Sequence, residues 1–147
     1  MFKMIRIDYP SYSPLTKKEL DREMIFDPFR KRWVLLTPEE WVRQNFLQFI
    51  TKVLQFPGSL IAVEKKLILG DVTKRFDIVV YKNSQPYMVI ECKEMNVLLT
   101  ENVLHQVLRY NTKMQAPYVV ITNGSYCYAF EKTGDSFIEI DQLPVFK

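Results

Sequence analysis

The stretch KRFDIVVYKNSQPYMVIECK, residues 74–93, decides the predicted fold. It contains two strand-like runs, Arg75 to Tyr81 and Tyr87 to Lys93, that are rich in β-branched and aromatic residues. Residues 82–86 between them include Asn, Ser and Pro, which are typical of turns. The stretch therefore predicts a β-hairpin whose apolar strands are buried in a sheet.

Three charged residues, Asp77, Glu91 and Lys93, interrupt these apolar strands. Because side chains alternate between the two faces of a strand, Glu91 and Lys93 are expected on one face, and Ile90 and Cys92 on the other. A hairpin that closes around residues 82–86 brings Asp77 close to Glu91. The pattern thus predicts that two carboxylates and one amine meet on the sheet.

Two interpretations of this cluster remain open at the level of residue pattern. The charges either form a solvated face and a polar strand edge, or they are buried and serve a site. Charges inside apolar strands are costly unless they are paired or bind a metal ion. The apolar flanks favour a functional site, whereas a salt bridge filling the space between the carboxylates would count against it.

The rest of the chain predicts two helices and further strands. Thr37-Pro38-Glu39-Glu40 offers an N-cap, an N1 proline and the third position of a capping box, so a helix is expected to begin here and to end before Pro57-Gly58. A second amphipathic helix is expected from Thr100 to about Met114. The additional predicted strands are Leu60–Leu69, Pro117–Thr122, Ser125–Phe130 and Phe137–Ile140.

This order of elements predicts an α/β domain at residues 37–147, with a mixed central sheet flanked by helices. The order is helix, three strands, helix and strand, followed by a C-terminal hairpin strand after Asn123-Gly124. Residues 1–36 are interpreted as an irregular or partly extended N-terminal arm, because prolines at 10, 14 and 28 interrupt it. A length of 147 residues suits one sizeable core.

Composition excludes several classes of protein. Apolar residues make up 48% and aromatic residues 14%, which excludes a disordered chain, and a net charge of +3 permits a nucleic-acid partner without requiring one. Cys92 and Cys127 form no CxxC pair or disulfide framework, and Cys92 is interpreted as a small buried apolar residue. The N-terminus lacks the apolar region of a signal peptide, and no stretch is long enough to span a bilayer. A cytoplasmic protein with no membrane partner is expected.

The residue types in the cluster suit phosphodiester hydrolysis. That reaction needs a deprotonated water, neutralisation of the phosphate charge and help for the leaving oxygen. A hard cation held by carboxylates supplies these, so Mg²⁺ is the predicted cofactor and Mn²⁺ a substitute. A lysine near the attacking water stabilises developing negative charge. Zinc is a poor candidate because the chain has no cluster of thiolate or imidazole groups.

Asp77, followed after an apolar run by Glu91-Cys92-Lys93, resembles the signature of the PD-(D/E)XK nuclease superfamily, whose restriction-endonuclease-like core has the same order of elements. More specifically, residues 36–130 resemble the N-terminal nuclease domain of type I restriction enzyme R subunits, in a short stand-alone form. The blocks that carry the resemblance are Leu36–Gln44, Lys74–Tyr81, Val89–Lys93, Gln106–Asn111 and Thr122–Gly124.

The resemblance implies that Asp77 and Glu91 bind the metal ion, joined by the backbone carbonyl of Cys92, and that Lys93 assists catalysis. The pair Gln106 and Tyr110 resembles an additional motif of RecB-like branches of the superfamily. Their four-residue spacing places them on neighbouring parts of one helix face. They are expected to organise Lys93 or to approach the DNA backbone, and the alternative is a core tyrosine with a flanking glutamine.

Several other residues have two open interpretations. Glu40 either adds an acidic group to the site, as in related nucleases, or serves the capping box alone, and Glu64 lies either at the metal or on a solvated strand face. The lone histidine, His105, is expected at an exposed helix position. Candidate contacts to DNA phosphates are Lys65, Lys66, Lys74, Arg75 and Arg109, with solvated surface charge as the alternative for each.

The sequence lacks a phosphate-binding GxxxxGK[ST] motif and any helix-turn-helix or zinc-finger pattern. The expected function is therefore that of a divalent-metal-dependent DNA endonuclease that depends on a homodimer or on a separate motor or specificity subunit for double-strand cleavage. Two alternatives remain. One is a non-catalytic DNA-binding or assembly module with the same fold, and the other is a nuclease for RNA or for damaged or branched DNA.

Overall fold

The computed structural model describes residues 2–147, which form two helices, one short 3₁₀ turn and ten strands. The N-terminal strands are β1 Ile5–Arg6, β2 Thr16–Glu19, β3 Arg22–Asp27 and β4 Arg32–Leu35. They precede helix α1 Pro38–Lys52, the 3₁₀ turn Gly58–Leu60, and strands β5 Ile61–Leu69, β6 Val72–Lys82 and β7 Gln85–Cys92. Helix α2 Glu101–Met114 and strands β8 Tyr118–Thr122, β9 Tyr126–Thr133 and β10 Ser136–Ile140 complete the fold.

A seven-stranded mixed sheet forms the centre of the molecule. Its strands follow the order β1-β9-β8-β7-β6-β5, and β10 also pairs with β9. Strands β7 and β8 are parallel, whereas the other neighbours are antiparallel. A parallel pair needs a long crossover, and α2 supplies it between β7 and β8. The predicted α/β architecture of restriction-endonuclease type is therefore confirmed.

The two helices cover opposite faces of this sheet. On one face, α1 side chains such as Phe46 and Ile50 pack with Ile78 and Ile90. On the other face, Leu104 and Val107 of α2 pack with Val79 and Val89. Strands β6 and β7 are covered on both sides, which explains why they are apolar almost throughout.

Local signals in the sequence fix the ends of the main elements. The hydroxyl oxygen of Thr37 accepts a hydrogen bond from the backbone N–H of Glu40 at 3.0 Å, as expected of an N-cap, and Pro38 begins α1. The turn expected at residues 82–86 is narrower, since β6 extends to Lys82 and β7 begins at Gln85. Asn83 and Ser84 both have positive φ, 54° and 63°, as a two-residue type I′ hairpin requires.

Residues 2–36 are extended over four strands and are more regular than the expected irregular or partly extended arm. Strand β1 joins the central sheet by pairing with β9, and β2, β3 and β4 form a separate three-stranded antiparallel sheet. The prolines at 10, 14 and 28 lie between these strands. Strand β2, Thr16–Glu19, is exposed along its whole length, so it lacks the alternation of apolar residues by which a strand is recognised in a sequence.

No helix in residues 2–147 has the length and apolar character needed to cross a membrane.

Candidate active site

Three carboxylates occupy matching positions on three adjacent strands. The pairs Val63–Ile78 and Lys65–Phe76 place Glu64 of β5 opposite Asp77 of β6. The β6–β7 ladder ends at the pair Ile78–Ile90, so Asp77 faces Glu91 at the next position. The sheet thus aligns Glu64, Asp77 and Glu91 across its width.

Asp77 interrupts the hydrogen bonding between β6 and β7. Its Oδ2 accepts a hydrogen bond from the backbone N–H of Cys92 at 2.8 Å. The Asp77 side chain thus replaces the backbone carbonyl that would accept this N–H in a regular sheet. Its Oδ1 accepts a hydrogen bond from Nη2 of Arg43 at 2.5 Å. Asp77 is only 5% exposed, and both oxygens have partners.

Glu91 is buried and incompletely paired. It is 4% exposed, and its Oε2 lies 3.2 Å from Nζ of Lys74 and 3.4 Å from Nζ of Lys93. Its other oxygen, Oε1, is buried and has no hydrogen-bond partner in residues 2–147. Burial first, and then the neighbouring charge of Asp77, raise the pKa of Glu91 to about 7. An unpaired, buried carboxylate oxygen is the kind of group that a hard cation binds.

Lys93 extends from the end of β7 on the same side as Glu91, as the alternation predicts. Its backbone N–H donates to the carbonyl of Thr122 at 2.8 Å, which continues the pairing with β8 by one residue. The segment Thr122-Asn123-Gly124 fixes this region. The Thr122 hydroxyl bonds to the backbone of Tyr126 and Gly124, and Asn123 donates to the carbonyl of Val97. These hydrogen bonds fix the backbone next to Lys93, whose side chain is 28% exposed.

Arg43 was not among the predicted site residues, although it lies at the centre of the carboxylates. Besides Asp77, its Nη2 lies 2.9 Å from Glu64 and 3.4 Å from Glu39, and its Nη1 lies 2.5 Å from Glu40. The signal in the sequence was a charged residue on the apolar stripe of α1, next to Val42 and before Phe46. Burial there demands acidic partners.

Only half of the expected capping box forms at Glu40: Thr37 accepts its backbone N–H, but its carboxylate turns to Arg30, Arg43 and Gln44 instead of the Thr37 N–H. Its backbone N–H bonds to the cap residue Thr37, yet its carboxylate faces inward and is 6% exposed. There it contacts Arg30 at 2.6 Å, Arg43 at 2.5 Å and the amide of Gln44 at 3.0 Å. Glu40 therefore brings an acidic group from α1 into the cluster, but it binds Arg43, which binds Asp77.

Glu64 lies beside the cluster and does not occupy a solvated strand face. Its carboxylate lies 2.9 Å from Arg43, and its side chain is 31% exposed. Its backbone φ is +59°, and among the described residues it is the non-glycine residue with positive φ that lies within a strand. This left-handed conformation costs about 1 kcal/mol for a residue with a Cβ. It also interrupts the pairing of β5 with β6 opposite Asp77.

The helix α2 contributes Tyr110 to the surroundings of the site. The half-buried ring of Tyr110 lies 5.7 Å from Nζ of Lys74, the lysine that pairs with Glu91. Gln106 lies one turn earlier on α2 and is exposed. Tyr110 thus borders the site through Lys74, whereas within residues 2–147 neither Gln106 nor Tyr110 forms a hydrogen bond with Lys93.

The candidate phosphate contacts differ in their accessibility. Lys65, Lys66, Arg75 and Arg109 are exposed, whereas Lys74 is half-buried against Glu91. His105 is exposed on α2, as expected. Cys92 and Cys127 are fully buried free thiols, which agrees with the interpretation of Cys92 as a small apolar residue.

Asp77 and Glu91 are the carboxylates that suit a cation, since Glu91 offers an unpaired oxygen and Asp77 offers Oδ1 once Arg43 moves. Within residues 2–147, no group of three or more His, Cys, Asp or Glu side chains is arranged to hold a metal ion. Nη2 of Arg43 instead contacts both Asp77 and Glu64. Asp77 and Glu91 are thus both engaged in salt bridges, which is the feature expected from the sequence to count against a metal site.

The mixed sheet, its flanking helices and the charged cluster on β6 and β7 define a domain of the restriction-endonuclease-like class. Residues 38–144 match the family model of the type I restriction enzyme R protein N terminus (HSDR_N). The chain therefore belongs to this family, which confirms the resemblance found in its sequence. No curated protein matches the chain.

Proposed function

We propose that this protein is a divalent-metal-dependent endonuclease that hydrolyses phosphodiester bonds in DNA. The observation that carries the proposal is the buried, unpaired Oε1 of Glu91, which lies across the sheet from Asp77. Leaving such an oxygen without a partner costs roughly 1–3 kcal/mol, or more when it is charged. A cation between Glu91 and Asp77 would remove that cost.

Asp77, Glu91 and the backbone carbonyl of Cys92 are the groups that would hold Mg²⁺. When bound, the ion supplies positive charge at the scissile phosphate and helps to deprotonate the attacking water. The hydrogen bond from the Cys92 N–H holds Asp77 in place, and this same peptide region carries the carbonyl of Cys92. The irregular backbone of Glu64 next to Asp77 is the type of strain that accumulates at functional sites.

Lys93 is the residue with access to the reacting phosphate. Its amine is 3.4 Å from Glu91 and partly exposed, so it can orient the attacking water and stabilise the negative charge that develops on the phosphate. In the reaction, a bond forms between the water oxygen and phosphorus, the ester bond to the leaving oxygen breaks, and that oxygen gains a proton. Lys74, held between Glu91 and Tyr110, adds positive charge nearby.

DNA is the proposed substrate, and two observations support it: the matched family is named for type I restriction enzymes, and exposed basic residues lie on the elements that carry the carboxylates and Tyr110. Lys65, Lys66 and Arg75 lie on the β5–β6 hairpin, and Arg109 lies on α2. Contacts from such side chains to phosphates position a duplex without selecting a sequence. One site of this kind cuts one strand, so double-strand cleavage requires a second copy or a separate subunit.

The test is nicking of supercoiled plasmid DNA in Mg²⁺ or Mn²⁺. The wild-type protein should nick the plasmid, and EDTA should abolish the reaction. Asp77→Asn, Glu91→Gln and Lys93→Ala should each lower the rate at least about a hundredfold. Lys52→Ala, which changes an exposed lysine at the end of α1, is the matched control and should retain activity. Equal residual cleavage by the wild type and the three variants would contradict the proposal.

The salt bridges of Arg43 favour one alternative, a non-catalytic DNA-binding or assembly module. In that case the carboxylates serve only to bury a structural arginine. DNA binding that persists in EDTA, without cleavage in any divalent metal, would support this alternative. A nuclease for RNA or branched DNA would instead be recognised when those substrates compete better than plasmid DNA.

A further inference from the structure

Arg43 neutralises the carboxylates that the proposed function assigns to a metal ion. Its guanidinium reaches Asp77 at 2.5 Å and Glu64 at 2.9 Å through the same nitrogen, Nη2. The side chain is 7% exposed, so water screens these contacts little. The buried arginine thus occupies the position facing Asp77 from which a cation would approach.

Positive groups already contact each of the three carboxylates that are aligned across the sheet. Arg43 contacts Glu64 and Asp77, whereas Lys74 and Lys93 contact Glu91. A divalent cation that entered this arrangement would meet the positive groups that already face Asp77 and Glu91. Binding is therefore weak unless one of the positive groups withdraws.

Among the three cations, Arg43 has the contacts that make withdrawal inexpensive. Its second nitrogen, Nη1, already binds Glu40 at 2.5 Å, and Glu39 lies 3.4 Å from Nη2. Both acids lie on α1, the helix that carries Arg43 itself. The guanidinium can therefore leave Asp77 and Glu64 and still remain paired, so that no buried charge is left without a partner.

Asp77 has one oxygen available for such an exchange. Oδ2 is held by the backbone N–H of Cys92, and the arginine binds Oδ1. A metal ion and Arg43 consequently compete for the same atom.

We propose that Arg43 is a positioning residue that holds Asp77 and Glu64 in the metal-free protein and is displaced from them by the divalent cation, so that it sets the metal affinity of the site. This inference rests on the proposed function. It adds a residue that binds neither the metal nor the water, and that acts through Asp77.

The first experiment measures Mn²⁺ affinity by titration calorimetry, with no DNA present. Arg43→Gln removes the competing charge and should bind Mn²⁺ about tenfold more tightly than the wild type. Arg43→Lys keeps the charge and should remain within about threefold of the wild type. Arg22→Gln, an exposed arginine of β3, removes the same charge from the surface and should leave the affinity unchanged. An equal or weaker affinity in a folded Arg43→Gln protein would overturn the proposal.

A second measurement is made on the wild type, with Arg43→Lys used only for signal assignment, and therefore holds even where Arg43→Gln fails to fold. The guanidinium NMR signals of isotopically labelled arginine are followed during titration with Mg²⁺, and Arg43→Lys assigns the Arg43 signals. They should shift on saturation, whereas those of Arg22 should not. Unchanged Arg43 signals in protein that binds Mg²⁺ would overturn the inference and leave the nuclease proposal standing. A wild type that binds neither metal would overturn both.

Discussion

The carboxylate of Asp77 accepts the backbone N–H of Cys92 across two strands, with 2.8 Å between Oδ2 and the nitrogen. The bond makes Asp77 a structural part of the sheet as well as a candidate metal ligand. Asp77→Asn keeps an oxygen that can accept this N–H, and Asp77→Ala does not. Both changes remove the charge beside Glu91. The difference between their free energies of unfolding therefore reports on the hydrogen bond to Cys92.

We therefore expect Asp77→Ala to unfold more easily than Asp77→Asn, by about 1–3 kcal/mol, the cost of a buried unpaired donor. Urea denaturation of the two proteins in EDTA measures this difference. Both variants should lack metal-dependent cleavage. Equal free energies of unfolding would show that Asp77 does not support the strand end.

A prediction about Lys93 separates catalysis from metal binding. Lys93→Met removes the partly exposed amine beside Glu91, so cleavage should fall at least about a hundredfold. The affinity for Mn²⁺ should not fall, since a positive charge near the carboxylates has been removed. Plasmid nicking and calorimetry give the two quantities. Loss of both cleavage and Mn²⁺ affinity would mean that Lys93 supports folding or metal binding and not the chemical step.

The raised pKa of Glu91 predicts how stability depends on pH in the metal-free protein. An unfolded glutamate releases its proton near pH 4.5, whereas folded Glu91 holds it to about pH 7, because burial and Asp77 disfavour its charge. Between these values the unfolded state binds fewer protons, so this residue lowers stability as the pH rises. Above about pH 7 the residue is deprotonated in both states, so its effect on the free energy of unfolding no longer changes with pH.

The measurement compares the wild type with Glu91→Gln in EDTA. The free energy of unfolding of the wild type relative to the variant should fall by roughly 3 kcal/mol between pH 4.5 and pH 7. Glu23→Gln, on the exposed part of β3, is the control and should show no such trend. A constant difference across this range would mean that the pKa of Glu91 is not raised.

Arg30 predicts an energetic link between the N-terminal sheet and the site. It pairs with the fully buried Asp27 at the end of β3 and with Glu40 on α1 at 2.6 Å. Replacing it by Met leaves two buried acids without this partner, so we expect a loss of roughly 3–5 kcal/mol in the free energy of unfolding. Chemical denaturation measures it.

The matched control for Arg30 is an exposed ion pair in the same small sheet. Lys17 pairs with Glu19 at 3.0 Å, and both side chains are well exposed. Lys17→Gln should cost less than about 1 kcal/mol. If Arg30→Met lowered the free energy of unfolding as little as Lys17→Gln, other contacts would hold β3 against α1.

Much of the fold follows from local signals. Thr37 and Pro38 define the start of α1, and the apolar runs on either side of residues 82–86 give the hairpin β6–β7. The same periodicity that predicts these strands also predicts that Glu91 and Lys93 share a face. The meeting of Asp77, Glu91 and Lys93 could therefore be deduced before the structure was known.

The features that the sequence did not predict depend on contacts between residues far apart in the chain. Arg43 reaches Asp77 across 34 positions, and helical periodicity marks it only as a charged residue on an apolar face. Strand β2 carries no alternating pattern, because it is exposed throughout and is stabilised by pairing with β3. The left-handed conformation of Glu64 is likewise set by its surroundings, since nothing about a glutamate predicts it.

The position of β5 has a consequence for solubility. Within residues 2–147, β5 is the last strand on its side of the central sheet, and it carries the exposed lysines 65 and 66. Lysines on an unpaired edge strand oppose the addition of another strand and thereby limit aggregation. Lys65 and Lys66 thus keep molecules apart in addition to any contact with phosphate. Substitution of both by apolar residues would favour edge-to-edge aggregation, so DNA-binding variants at this edge require polar replacements such as glutamine.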